Sequence, residues 1–194
     1  MRSLVLALLL LTQSAYADEV VVVCYNYGCY AEQEVIYTDE QLAWAAATLA
    51  AADGPESERQ LLAPVIGRLY AWAGQQSPIW RDRGGNYADA GVHGSMDCID
   101  HSTTTTRLLW MLERRGALRF HRLIEPARRT RFLLTQHLAA AVEEAAVIEP
   151  LQRAGLTAAG LTRRYVVDSW FVDNGQPAII LPLEDWLKGA GPDV

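Results

Sequence analysis

The sequence is poor in cysteine, has no second long apolar run after its amino terminus and carries no excess of positive charge. A formal net charge of −6 argues against nucleic acid or an anionic membrane surface as a partner. The long apolar run, Leu4 to Leu11, is too short to span a bilayer. Repeats and low-complexity segments are also lacking. These absences favour one soluble domain with a hydrophobic core.

The amino terminus has the pattern of a cleavable secretory signal peptide. Arg2 provides the positive charge before the apolar run, and Ala15-Tyr16-Ala17 places small residues where signal peptidase cleaves. We therefore expect residues 1–17 to be removed and the protein to be periplasmic or secreted. Position 18 is Asp18 rather than cysteine, so no lipid or other membrane anchor is predicted. Loss of Arg2 makes the net charge −7.

An exported chain with three cysteines has one left over after pairing. Cys24 and Cys29 flank the turn-like stretch Tyr25-Asn26-Tyr27-Gly28, and we predict a small hairpin disulfide between them. This spacing differs from that of thioredoxin-type motifs, which disfavours a redox role. Cys98 is then the free thiol, and it is either a small buried apolar residue or a nucleophile.

Residue patterns predict an α+β fold in which helices precede an antiparallel sheet. Thr38 and Gln41 form a capping-box pattern before the first helix, and Pro64 predicts a kink inside the second. The predicted elements of the first half are strands at Glu19 to Cys24 and Val35 to Tyr37, helices from Thr38 to Ala52 and from Pro55 to Gly74, a long loop at 75–96 and a helix from Cys98 to Arg115. A strand from Leu118 to Ile124, a basic turn from Pro126 to Arg131 and a strand or helix from Phe132 to Glu144 follow. The chain ends with a hairpin of Tyr165 to Val172 and Ala178 to Leu181 around Asn174-Gly175, and a short helix from Leu183 to Lys188.

The start of the predicted third helix favours a reactive thiol at Cys98. Asp97 is placed to cap this helix and Asp100 to complete a capping box, so Cys98 lies in the first turn. Free backbone amides and the positive end of the helix dipole stabilise a thiolate there. The two carboxylates oppose this effect because nearby negative charge raises the pKa of a thiol. Activation of Cys98 therefore requires a close imidazolium.

The sequence offers four histidines for that role. His93 is in the long loop, and His121 is interpreted as an outward-facing polar residue of a strand. His101 lies three residues after Cys98, so these two residues with Asp97 or Asp100 could instead form part of a metal site. A second Cys or His pair at ligand spacing is lacking, so neither a metal nor another cofactor is predicted. His137 is the fourth histidine.

His137 and Asp168 form the remaining candidate pair. Asp168 lies within a strongly β-type stretch from Tyr165 to Trp170, where an acidic residue is either outward-facing or functional. If their segments are neighbouring antiparallel strands, Asp168 can accept a hydrogen bond from the ring nitrogen of His137 that does not face Cys98. Such a group would orient His137 as a base.

The order Cys98, His137, Asp168 resembles that of the papain-like and transglutaminase-like superfamily, most closely the bacterial transglutaminase-like cysteine proteinases. Their nucleophile opens a helix in a stretch reading Gly-Asp-Cys-x-Asp-aromatic, which Asp97, Cys98 and Asp100 match. Met96 and His101 stand at the glycine and aromatic positions. The resemblance implies a transglutaminase-like fold with a cysteine at the start of a core helix.

Two strand motifs extend this resemblance. His137-Leu138-Ala139-Ala140 is similar to the family's His-Ala-Val-Leu strand, and Val166-Val167-Asp168-Ser169 is similar to its Val-Leu-Asp-Asn strand, with a long insertion at 145–163 between them. The resemblance implies that Cys98 is the nucleophile, His137 the general base and Asp168 the residue that orients His137. The chain from Asp18 onward also resembles a group of exported bacterial proteins, which implies a fold more than an activity.

Two functions remain as hypotheses. The first is an exported thiol hydrolase or acyltransferase that acts on an amide or ester, with a peptide or protein, a cell-wall component and a small ester all open as substrates. The rival is a non-catalytic periplasmic binding module of the same fold, in which Trp80, Asn86 and Tyr87 of the long loop contact a ligand. Convergence of Cys98 with its two partners in space would favour the enzyme. The sequence leaves the oligomeric state open.

Overall fold

A computed structural model describes residues 17–85, 88–131, 135–145 and 163–193 of the chain. The predicted signal peptide lies outside these residues, apart from Ala17. The described part is a mixed α and β structure with four α-helices and two antiparallel sheets. No helix in these ranges combines the length and the apolar character needed to cross a membrane.

The chain begins with a two-stranded antiparallel hairpin. Strands β1 (Glu19–Tyr25) and β2 (Ala31–Tyr37) pair from end to end. They extend beyond the predicted strands because backbone pairing continues through polar positions, up to Tyr25 opposite Ala31. The predicted disulfide between Cys24 and Cys29 is confirmed and closes the turn, and Cys98 is the free cysteine. A disulfide is compatible with an exported protein.

Two helices follow the hairpin at nearly the predicted positions. Helix α1 (Asp39–Ala50) has the predicted capping box, in which the Thr38 hydroxyl accepts from the Gln41 N–H and the Gln41 side chain accepts from the Thr38 N–H. Helix α2 (Pro55–Gly74) buries an apolar face against the core. A short 3₁₀ helix, Pro78–Arg81, then forms inside the predicted long loop.

Helix α3 (Cys98–Arg114) is the central helix and carries the free cysteine in its first turn. The predicted capping box of Asp97 and Asp100 is confirmed, and Gly116 ends the helix at φ +68°. The run of threonines inside the helix is held by tertiary contacts, as the low helix propensity of threonine requires. Thr104 accepts a hydrogen bond from the N–H of Cys24, and the Thr105 hydroxyl lies 2.9 Å from that of Ser169.

The second sheet contains four antiparallel strands in the order β3-β4-β5-β6. These strands are β3 (His121–Arg131), β4 (Thr135–Glu144), β5 (Arg164–Asp168) and β6 (Ile179–Pro182). The predicted basic turn from Pro126 to Arg131 is wrong, because pairing with β4 resumes at Ala127 after an irregularity that accommodates Pro126. The predicted strand from Leu118 starts only at His121. Of the segment left open between strand and helix, residues 135–144 form a strand and 132–134 lie outside the described residues.

The predicted hairpin near the carboxyl terminus is present but has shorter strands. β5 ends at Asp168, and the segment 169–178, which contains Gly175 at φ +88°, connects it to β6. A short helix α4 (Leu183–Leu187) follows and buries Trp186. Helix α3 packs on β4 and β1, so its first turn faces the part of β4 that extends beyond the end of β5.

Candidate functional site

The contact predicted between His137 and Asp168 is present. The strands β4 and β5 pair antiparallel up to Ala140 opposite Val167, and this register places Asp168 opposite Ala139, two residues from His137 and on the same face of the sheet. His137 Nε2 lies 2.7 Å from Asp168 Oδ2, and both side chains are buried. Because an ionised carboxylate only accepts hydrogen bonds, Nε2 carries a proton and, in the neutral ring, Nδ1 has a free lone pair. This is the tautomer of a general base.

Asp168 is held by two donors besides His137. The indole Nε1–H of Trp186 in α4 donates to Oδ2 over 2.9 Å, and the backbone N–H of Trp170 donates to Oδ1 over 3.2 Å. Asp168 is only 1% exposed, so the outward-facing interpretation is wrong. These donors fix the orientation of the carboxylate towards His137.

Aromatic rings surround the imidazole of His137. The ring centroids of Trp170, Phe171 and Trp186 lie 4.8, 5.5 and 5.5 Å from that of His137. Arg129 of β3 lies over the Trp186 ring and donates to the backbone carbonyls of Trp186 and Ala190. These contacts fix the plane of the imidazole and limit the access of water to its pair with Asp168.

Cys98 lies beside the same stretch of β4. Its Sγ is 3.8 Å from the carbonyl oxygen of Gln136, and the N–H of Leu138 donates towards Sγ. Gln136 and Leu138 are the two neighbours of His137 in the strand, so the thiol lies against the backbone that carries the imidazole. The hydrogen-bond acceptor of the thiol is this carbonyl rather than the His137 ring.

The pKa of the Cys98 thiol is raised above its ordinary value. Burial is the main cause, and the carboxylates of Asp97 and Asp168 add to it. The N–H groups of Leu138 and of Cys98 itself lower the pKa, without reversing the effect of burial. The side chain is partly exposed, and at neutral pH it is a protonated thiol.

His101 belongs to a buried hydrogen-bond network. Its Nε2 lies 3.0 Å from Asp82 Oδ2 and its Nδ1 lies 2.8 Å from the Ser169 hydroxyl, which also contacts Tyr70 and Thr105. All of these side chains are buried. The network joins the segment before Cys98 to the residue after Asp168, because Asp82 also accepts from the N–H of Met96.

Among the described residues, one group of three potential metal ligands lies close together: Cys24, Cys29 and Asp100. The two cysteines form the disulfide, so their sulfurs are not thiolate ligands. Burial raises the pKa of Asp100 to about 6, although backbone N–H donors act in the opposite direction. The alternative site of Cys98 and His101 with Asp97 or Asp100 does not appear as such a group.

His121 is buried, so its interpretation as an outward-facing residue is wrong. Its Nδ1 lies 2.7 Å from Glu58 of α2 and its Nε2 lies 3.1 Å from Arg59. Arg59 pairs with Glu144 over 2.7 Å and lies over the ring of Tyr165. This ionic cluster attaches the start of α2 to β3, β4 and β5, away from Cys98, and so has a structural role.

Of the three contact residues of the rival hypothesis, Trp80 lies within the described residues. Trp80 is 58% exposed, which is compatible with contact to a ligand, and the Arg81 guanidinium lies over its ring. Asn86 and Tyr87 lie outside the described residues. His93 is exposed and contacts Tyr25.

Sequence reasoning missed three residues that support the site: Trp186, Asp82 and Ser169. Each acts through a contact with a residue distant in sequence, and such a partnership leaves no local pattern. One signal was available for Trp186, because an aromatic with a polar N–H in a short helix that follows a strand is commonly buried with a partner for that N–H.

No protein-family model, curated protein or solved structure matches this chain.

Proposed function

We propose that the protein is an exported thiol hydrolase or acyltransferase of transglutaminase-like fold, in which Cys98 is the nucleophile, His137 the base and Asp168 the residue that orients His137. One observation carries the proposal. His137 Nε2 lies 2.7 Å from Asp168, and the Cys98 thiol contacts the carbonyl of Gln136, the residue that precedes His137 in β4. The position of Cys98 at the start of a helix packed on an antiparallel sheet is consistent with the proposed fold.

The raised pKa of the Cys98 thiol favours general-base catalysis over a mechanism that starts from a thiolate and imidazolium pair. Burial keeps the Cys98 thiol protonated at neutral pH, so attack requires removal of its proton. With the proton of the neutral imidazole on Nε2, the lone pair of Nδ1 can take it. In the proposed mechanism the thiol first turns from the Gln136 carbonyl towards the ring by rotation about χ1.

The reaction has two steps. Sγ forms a bond to the carbonyl carbon of an amide or ester while its proton moves to His137, and the C–N or C–O bond then breaks as His137 returns the proton to the leaving group. Water, or another nucleophile in an acyl transfer, attacks the resulting thioester and His137 accepts its proton. Cys98 regains that proton as the thioester breaks. The Cys98 N–H, at the first helical position, has no acceptor within the helix and is the first oxyanion donor.

The test uses p-nitrophenyl acetate, a small acyl donor that does not require the natural substrate to be known. The full chain should release p-nitrophenol in a burst and gain one acetyl group on the peptide that contains Cys98, detected by mass spectrometry. Cys98→Ala should abolish both signals. His137→Gln should slow acylation by about 10²–10⁴-fold, because it removes the base.

The matched control is His93→Gln, which removes a histidine from outside the site and should leave acylation unchanged. Asp168→Asn should behave like His137→Gln at a smaller magnitude, because the tautomer and orientation of the ring are then lost. Equal acylation rates for wild type and His137→Gln would contradict the proposal. That result, with intact folding, would favour the binding-module alternative.

A further inference from the structure

The side chain of Asp100 joins the disulfide loop of the hairpin to the first turn of α3. Its carboxylate accepts hydrogen bonds from the backbone N–H groups of Tyr27 over 2.8 Å, Cys29 over 2.6 Å and Asp97 over 3.0 Å. Asp100 is fully buried. A single carboxylate therefore holds two N–H groups of the loop and the N–H of the residue that precedes Cys98.

The loop cannot hold this shape by local preference alone. Asn26, Tyr27 and Cys29 have φ angles of 65°, 65° and 55°, in the left-handed region that non-glycine residues rarely adopt. Covalent closure between Cys24 and Cys29 restricts the loop. Without this closure we expect the backbone to relax towards extended conformations and the N–H groups of Tyr27 and Cys29 to turn away from Asp100.

The same loop also contacts the segment that precedes Cys98 in sequence. The N–H of Asn26 donates to the carbonyl of Ser95 over 2.8 Å, and its side-chain oxygen accepts from the N–H of Gly94 over 2.9 Å. The loop is therefore hydrogen-bonded to Gly94 and Ser95 before Cys98 and to Asp100 after it. Neither contact involves His137 or Asp168.

We propose that Asp100 is a positioning residue, through which the loop closed by Cys24 and Cys29 holds the Cys98 thiol against β4. The inference rests on the proposed function for the role of the thiol, but the positioning of Cys98 by the loop does not depend on that role. It implies that the candidate site is fully assembled only after the disulfide has formed, as it would be in an oxidising compartment.

The experiment opens the loop in the full chain with Cys24→Ser plus Cys29→Ser, and separately removes the acceptor with Asp100→Ala. Hydrogen exchange of the first-turn amides of α3 and alkylation of Cys98 by iodoacetamide should each accelerate by about tenfold in both variants. Asp100→Asn should lie between wild type and Asp100→Ala, because its amide oxygen can still accept. Leu49→Ala, in the core of α1, is the control for general destabilisation and should leave the first turn of α3 unchanged.

A second measurement separates positioning from stability. In the wild-type background, His137→Gln should slow acetylation of Cys98 by p-nitrophenyl acetate. In the background with both serines the same substitution should have a several-fold smaller effect, because the thiol is no longer held beside the strand that carries the imidazole. A simple loss of stability would scale both rates without changing their ratio.

If the serine variant does not fold, the folded wild type is reduced with a water-soluble phosphine. The Cys24–Cys29 bond then gains two electrons and two protons to give two thiols, and the phosphine becomes its oxide with oxygen from water. The peptide that contains Cys98 is followed by mass spectrometry. Unchanged exchange and alkylation after loop opening would overturn the inference and leave the proposed function standing. Faster exchange without any dependence of acetylation on His137 would contradict the proposed function alone.

Discussion

Trp186 shows how much one distant donor contributes at the residue scale. Its indole N–H is one of three donors to Asp168, and its ring packs against His137. Trp186→Phe keeps the aromatic packing but leaves a buried carboxylate with one donor fewer. We expect the free energy of unfolding to fall by about 2 kcal/mol, the range for a hydrogen bond to a charged group.

Urea unfolding of wild type and Trp186→Phe provides the measurement. The control is Trp44→Phe, since Trp44 is 40% exposed on α1 and packs only against Trp72 among the described aromatic rings. A change within about 0.5 kcal/mol for Trp186→Phe, typical of a surface substitution, would show that the indole N–H contributes nothing to holding Asp168.

The pH dependence of Cys98 alkylation follows from the raised pKa of its thiol. Only the thiolate reacts with iodoacetamide, and a raised pKa lowers the thiolate fraction at every pH below it. We expect the rate at pH 7 to be lower than that of an ordinary exposed cysteine and to keep rising beyond about pH 9. Cys98→Ala should not be labelled, because Cys24 and Cys29 are joined in the disulfide. A plateau near neutral pH would instead indicate a resting thiolate and imidazolium pair.

At the scale of elements, Glu58 anchors α2 to the start of β3. Its buried carboxylate accepts from the N–H groups of Arg119 and Phe120 and from the ring of His121, over 2.6, 3.0 and 2.7 Å. Glu58→Gln replaces one accepting oxygen by an NH₂ group that faces these donors. The free energy of unfolding should fall by about 3 kcal/mol.

Thermal and urea unfolding test this prediction against Glu56→Gln, which removes an exposed carboxylate from the first turn of the same helix. That control loses only a favourable interaction with the helix dipole, about 0.5 kcal/mol. Equal effects of the two substitutions would mean that the hydrogen bonds from Arg119, Phe120 and His121 to Glu58 add nothing to the stability of the protein.

At the scale of the whole molecule, the disulfide restricts the unfolded chain. Closure of the short loop between Cys24 and Cys29 should contribute about 2 kcal/mol to stability by the chain-entropy relation. Urea unfolding of wild type in the presence of a phosphine reductant should show a loss of this size. The variant with serine at both positions should be equally unstable and insensitive to the reductant. Identical midpoints for reduced and oxidised wild type would contradict the prediction.

Local patterns in the sequence determined the hairpin and its disulfide, the ends of α2 and the capping boxes of α1 and α3. These features depend on residues within a few positions of one another, such as Thr38 with Gln41 and Asp97 with Asp100. The sequence also brought Cys98, His137 and Asp168 forward as candidates, and their catalytic roles remain a prediction.

The tertiary structure alone decided which polar groups are buried together. It paired His101 with Asp82 and Ser169, His121 with Glu58, and Asp168 with Trp186. It also continued β3 past Pro126, because the backbone of β4 lies alongside and supplies pairing that turn-forming residues would not predict. Hydrogen bonds between distant residues depend on how elements pack, and a one-dimensional pattern does not record packing.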